Sequence, residues 1–91
     1  MEENSFNDFT INPLDEKDKK INLLKQELDV NFQEQILVKK RINLIKESFE
    51  QIPDTDPEYA ILFTQLEMDQ IQLDELINRE HALKSKISQY S

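Results

Sequence analysis

The stretch Ile52-Pro53-Asp54-Thr55-Asp56-Pro57 constrains this chain more than any other. It holds the only prolines after Pro13, in a sequence without a single glycine. A proline lacks a backbone N–H and its ring clashes with the preceding helical turn, so Pro53 stops any helix that reaches it. Pro57 sits where a new helix favours its first residue, with Asp56 before it as N-cap and Glu58 in the positive first turn. The six residues read as stop, turn and start. They split the chain into two long helical halves, and a short connection between long helices folds them back antiparallel.

An earlier start signal is Asn12-Pro13-Leu14-Asp15, where Asn12 caps and Asp15, Glu16 and Asp18 favour the positive end of the helix dipole. The expected organisation is an acidic tail over 1–12, a helix over 13–52, a turn over 53–56 and a helix over 57–89. At ~1.5 Å per residue the first helix is close to ~60 Å long.

The periodicity of both halves is a heptad. In the first, Ile21, Leu28, Gln35, Ile42 and Phe49 share position a, and Leu24, Asn31, Val38, Ile45 and Ile52 share position d. In the second, Tyr59, Leu66, Leu73, Glu80 and Ile87 take a, and Leu62, Asp69, Leu76, Leu83 and Tyr90 take d. Eight of ten in each set are apolar or aromatic, in strict three–four spacing, which is a coiled-coil seam. Asn31 and Gln35 interrupt the first seam at mid-length, and Phe32 and Ile36 beside them are expected to shift the packing surface there. Phe63 and Ile77 are expected to widen the second.

A second apolar row runs through Leu23, Val30, Leu37 and Leu44. In helical projection it lies roughly 130° from the middle of the seam, so one partner helix does not cover both. Ile61, Met68 and Ala82 form a shorter row on the second half. A lone two-helix hairpin has little interior, and scaffolds of this size need further support. Burying one leucine is worth ~1.5–3 kcal/mol, so four represent several kcal/mol that a monomer forgoes. The fold expected is all-α: an antiparallel, coiled-coil-like two-helix hairpin that assembles with a second copy into a four-helix bundle. The rival expectations are a different protein on that face, or leucines simply tolerated at the surface.

Folding about the turn brings together residues whose numbers total about 110, from the rise of an antiparallel pair. Asn31 then falls near Glu80, and Asp69 near Lys40 and Arg41. A buried carboxylate without a partner is costly, so these polar seam positions are expected to meet one another, as the polar layers that fix register in coiled coils do.

Charge narrows the partners. The net charge is −8, and the first twelve residues carry three acids and no base. An acidic surface repels phosphate backbones and anionic membranes, which disfavours nucleic acid and lipid as partners. No apolar run approaches the ~20 residues of a bilayer span, the N-terminus lacks the regions of a signal peptide, and there is no cysteine; a cytoplasmic protein is expected. In the tail, Phe6, Phe9 and Ile11 stand among small polar residues. They read as part of a frayed end, as an extended docking segment whose phenylalanines fill a partner's pockets, or as residues folded back on the protein's own helices.

Catalysis finds no constellation. His81 is the only histidine, and Asn78 occupies the position where a di-metal bundle would need glutamate. No serine has a neighbouring base, and without glycine there is no phosphate-cradling loop. Lys39-Lys40-Arg41 is the one basic spot, read as ion pairs to the acidic second helix or, less simply, as a small phosphate or nucleic-acid contact. Neither catalytic residues nor metal nor cofactor are expected. The layout resembles the helical hairpins of small bundle-forming regulators and secretion-type chaperones, a likeness of architecture that does not carry function. Two functions remain: a non-catalytic scaffold, assembly factor or chaperone-like adaptor, and an acidic inhibitor that occupies a basic surface of another protein.

Overall fold

Two helices packed against each other make the hairpin seen in the computed structural model, which describes residues 13–90. Helix α1 runs over Pro13–Phe49 and α2 over Pro57–Tyr90. Phe6 and Phe9 lie outside the described residues. No helix among the described residues is long and apolar enough to cross a membrane.

The turn explains both helix ends. α1 stops at Phe49 rather than at the expected Ile52. The ring of Pro53 collides with the carbonyl four residues back, which belongs to Phe49, and it drives Ile52 out of helical dihedrals. The last turn tightens instead: Glu50 N–H donates to the Glu47 carbonyl at 3.2 Å, and Gln51 N–H to that of Ser48 at 3.0 Å. Asp56 N–H then donates to the Pro53 carbonyl at 3.0 Å, closing a four-residue turn. The Asp56 carboxylate accepts from Glu58 N–H at 2.9 Å, so Asp56 caps α2 and Pro57 occupies its first position. Asp56→Ala is expected to lower stability by about 1 kcal/mol, the usual worth of an N-cap. Urea unfolding followed by circular dichroism reads it; an unchanged midpoint would mean that the proline alone starts the helix.

The seam follows the heptad along its whole length. Val38, Ile42 and Ile45 from α1 and Leu83 from α2 are the buried apolar core. Leu24, Leu28, Leu66, Leu73 and Leu76 are half-buried around them. At the turn end the rings of Phe49 and Tyr59 meet at 4.8 Å between centroids, tilted by 56°, a geometry that aromatic pairs favour. At the open end Lys20 Nζ stands 5.8 Å from the centre of the Tyr90 ring.

Two sequence expectations are corrected. Phe32 and Ile36 do not draw the packing surface toward themselves: both are exposed, and the polar Asn31 and Gln35 are buried in the seam instead. Their amides find partners on α2, which removes the cost that would otherwise exclude them. Phe63 stays exposed too, so only Ile77 adds half-buried surface beside the second seam.

Candidate protein-contact surface

Inside the seam two polar layers tie the helices together. In the first, Asn31 Nδ2 donates to the Leu76 carbonyl at 2.9 Å. Gln35 Nε2 donates to Asn31 Oδ1 at 2.6 Å and to Glu80 Oε1 at 2.8 Å. Lys84 closes the layer from one turn further along α2, with Nζ 2.7 Å from Glu80 Oε2. In the second layer Asp69, 2% exposed, receives the guanidinium of Arg41. Arg41 Nη2 donates to Asp69 Oδ1 at 3.2 Å and Nε to Oδ2 at 3.4 Å. Gln65 Nε2 donates to Asp69 Oδ1 at 3.1 Å, and Arg41 Nη2 also reaches Gln72 Oε1 at 3.0 Å. All four polar seam positions, Asn31, Gln35, Asp69 and Glu80, therefore have partners.

The Gln35 amide, and after it Lys84, hold the Glu80 carboxyl below its ordinary value of 4.5. A group with a lowered folded-state pKa contributes stability above its unfolded value and loses it as the pH falls through the folded one. The first layer should accordingly loosen in acid, below the ordinary glutamate range. A carboxyl-detected NMR titration is expected to put the Glu80 midpoint below 4.5, and Gln35→Leu should move it upward. An unmoved midpoint in that variant would show that the amide does not act on the carboxyl.

The second apolar row holds the most exposed large apolar side chains of α1. Leu23, Val30, Leu37 and Leu44 are 59, 55, 58 and 63% exposed. α2 leaves more than half of each uncovered. Ile61, Met68 and Ile71 are exposed on α2. The rows belong to one side of the hairpin. Leu23 and Val30 line a groove together with Glu27 and Arg79, and Met68 lines another with Arg41 and Asp69. Glu27 and Arg79 join the two helices across that side at 2.8 Å. Leu37 and Leu44 continue the α1 row by the seven-residue repeat, and Ile61 continues that of Met68. The result is a strip of inter-helix polar pairs with apolar rows outside it. The opposite side carries fewer exposed apolar groups, Phe32, Ile36 and Phe63, with Lys84 Nζ 5.6 Å from the centre of the Phe32 ring.

Other sites sort differently. Of the Lys39-Lys40-Arg41 cluster only Arg41 makes an ion pair among the described residues; Lys39 and Lys40 are exposed. His81 is exposed on α2. The Glu27–Arg79 pair and the amide contacts of Gln65 and Gln72 lie outside the seam positions that the heptad singles out. Glu27 and Arg79 both occupy position g, the flank that faces its counterpart in an antiparallel pair, and that rule would have found them. Gln65 lies four residues before Asp69 on α2, a spacing at which helical side chains meet.

No protein-family model, characterised protein or solved structure matches the chain.

Proposed function

We propose that this hairpin is a non-catalytic protein that acts through protein–protein contact, as a scaffold, assembly factor or chaperone-like adaptor. Its first partner is a second copy of itself, and the two hairpins stack into a four-helix bundle in the cytoplasm. The row of Leu23, Val30, Leu37 and Leu44 carries this reading. Four apolar side chains at seven-residue spacing, each more than half exposed, are what a helix presents to another helix. Ile61 and Met68 on the same side extend the surface over both helices. The interior supports the need for company, because α1 and α2 bury only four apolar side chains between them among the described residues. A core that small supplies limited stability.

Sedimentation equilibrium at micromolar concentration tests it. The expected mass is twice that of the 10.9 kDa chain. A strict monomer would remove the self-assembly and leave the face to a different protein.

A second reading has its own support. The net charge is −8, and Glu67, Asp74 and Glu75 are exposed on α2 without an ion pair among the described residues. Such a surface suits an inhibitor that covers a basic groove of another protein. Binding of that kind falls steeply with salt, whereas binding through the leucine row does not.

A further inference from the structure

We infer that the two copies of the assembly lie in opposite directions, the turn of each hairpin beside the open end of the other, with the two-fold axis at the level of Leu37 and Ile71. This rests on the self-assembly proposed above and adds its orientation and register, which a row of leucines by itself leaves open.

The seam sets the levels. Arg41 meets Asp69, Glu27 meets Arg79 and Phe49 meets Tyr59. Ile71 is therefore level with Leu37, Glu75 with Glu34, and Lys86 with Leu23. Two grooves on the apolar side have the outline of a coiled-coil hole. Leu23, Gln26, Glu27 and Val30 stand at i, i+3, i+4 and i+7 in the first, beside Asn31, Glu34 and Arg79. Met68, Ile71, Gln72 and Glu75 do so in the second, beside Arg41, Gln65 and Asp69. Four residues at that spacing receive one side chain of a facing helix. Stacking with both turns at the same end makes each α1 face α2 of the other copy at its own level. The first hole then receives Ala82, between the charged Arg79 and Lys86. With the turns opposed, α1 faces α1. Leu44 of the second copy then meets Val30 in the first hole, and the second hole lies on the axis, where Ile71 meets Ile71.

Charge selects the same arrangement. From the open end to the turn, the exposed charges beside the rows fall in bands. Lys19, Lys20 and Lys86 come first, with Glu16 among them, and then the Glu27–Arg79 pair. Glu34 and Glu75 follow, then Lys40 and Arg41, the latter held by Asp69, and last Glu47 and Glu58. Bases and acids in these bands are equal in number, on a chain whose net charge is −8, so two copies meet on this side without the repulsion of the whole. Turns at the same end set each band against itself. Glu34 then opposes Glu75 of the other copy, and the two turns crowd together, each with Glu47, Glu50, Asp54, Asp56 and Glu58 against Lys46 alone. Opposed turns bring Glu34 and Glu75 level with Lys40 and Arg41 of the second copy, and Glu58 level with its Lys20 and Lys86. Opposite charges in register favour a contact, and like charges face to face oppose it.

The chain contains no cysteine, so one introduced cysteine carries one nitroxide label, and pulsed electron paramagnetic resonance reads the distance between the two labels of a dimer. Ser85→Cys and Gln51→Cys are changes at exposed positions toward the two ends of the hairpin. Each lies about 20 Å from the level of the axis, so the labels of either variant are expected about 40 Å apart. A mixture of the two labelled proteins should add a distance below about 20 Å, from Ser85 of one copy to Gln51 of the other, set by the spacing of packed helices. A dimer whose Ser85 labels themselves lie below about 20 Å overturns the orientation and leaves self-assembly standing. A dimer with long distances in both single samples and no short one in the mixture overturns the register. A chain that sediments as a monomer overturns this proposal together with the assembly it rests on.

Discussion

Leu37→Asp is expected to abolish the proposed self-assembly and leave the hairpin standing. Leu37 is 58% exposed in the single hairpin, so an aspartate there meets water and disturbs none of the seam. In a bundle of two copies the same position is covered twice, once from each side of the two-fold axis. Each buried leucine contributes ~1.5–3 kcal/mol, so two lost leucines amount to about 3–6 kcal/mol, or roughly a hundredfold to ten-thousandfold in dissociation constant. Placing a carboxylate in the interface adds to that. Helix content at a concentration where the parent is associated should change far less than the sedimentation coefficient. Val38→Asp is the control. Val38 is 2% exposed and belongs to the hairpin's own core, so its replacement should lose helix and assembly together. If Leu37→Asp behaved as Val38→Asp does, Leu37 would be a core residue and the second row would need another account.

Those two residues also mark what is legible in such a sequence. Val38 and Leu37 are adjacent and equally apolar, and the heptad frame alone separates them. Val38 falls at d and is buried; Leu37 falls at c and is exposed. A periodic pattern encodes the face a side chain occupies, because each residue turns the helix by a fixed angle. It does not encode the occupant of that face. The hairpin was therefore readable from Pro53, Asp56 and the seam, while the cover over Leu23, Val30, Leu37 and Leu44 was not.

The errors of detail have the same kind of cause. A helix end at Ile52 counts only the residue before proline, whereas the steric effect of Pro53 reaches back four residues, to the Phe49 carbonyl. Phe32 and Ile36 looked better suited to a core than Asn31 and Gln35 on hydrophobicity alone. Hydrophobicity along one helix leaves out what the facing helix offers. Here it offers the Leu76 carbonyl and the Glu80 carboxylate, and satisfied amides are tolerated where bare ones are not. The pairing arithmetic, which uses both helices, located Asp69 beside Arg41; the single-helix pattern misplaced Phe32.

The Arg41–Asp69 layer is expected to respond unequally to loss of its two members. Asp69 is buried while the Arg41 side chain is half exposed. Arg41→Met removes both guanidinium contacts and leaves a carboxylate in the seam with Gln65 as its remaining donor. Stranding a buried charged acceptor costs about 1–3 kcal/mol or more, and the lower part of that range applies because the Arg41 side lies open to water. Asp69→Leu does the opposite. It fills a d position with the residue that the seam carries at Leu62, Leu76 and Leu83, and frees Arg41 to be solvated. Replacing buried ionic groups by well-packed apolar ones is often neutral or stabilising. The expected order of stability by urea unfolding is Asp69→Leu at or above the parent and Arg41→Met below it. The double variant should recover what Arg41→Met loses, since no stranded carboxylate is left. The gain in Asp69→Leu has a structural cost. The Arg41–Asp69 layer also holds α2 locally against α1, and without it only the turn and the Asn31–Gln35–Glu80 layer pin the two helices in register. Amide exchange around Met68 and Gln72 should therefore speed up in Asp69→Leu even as its unfolding midpoint holds or rises. Slower exchange there, together with higher stability, would show that the ion pair does nothing for register.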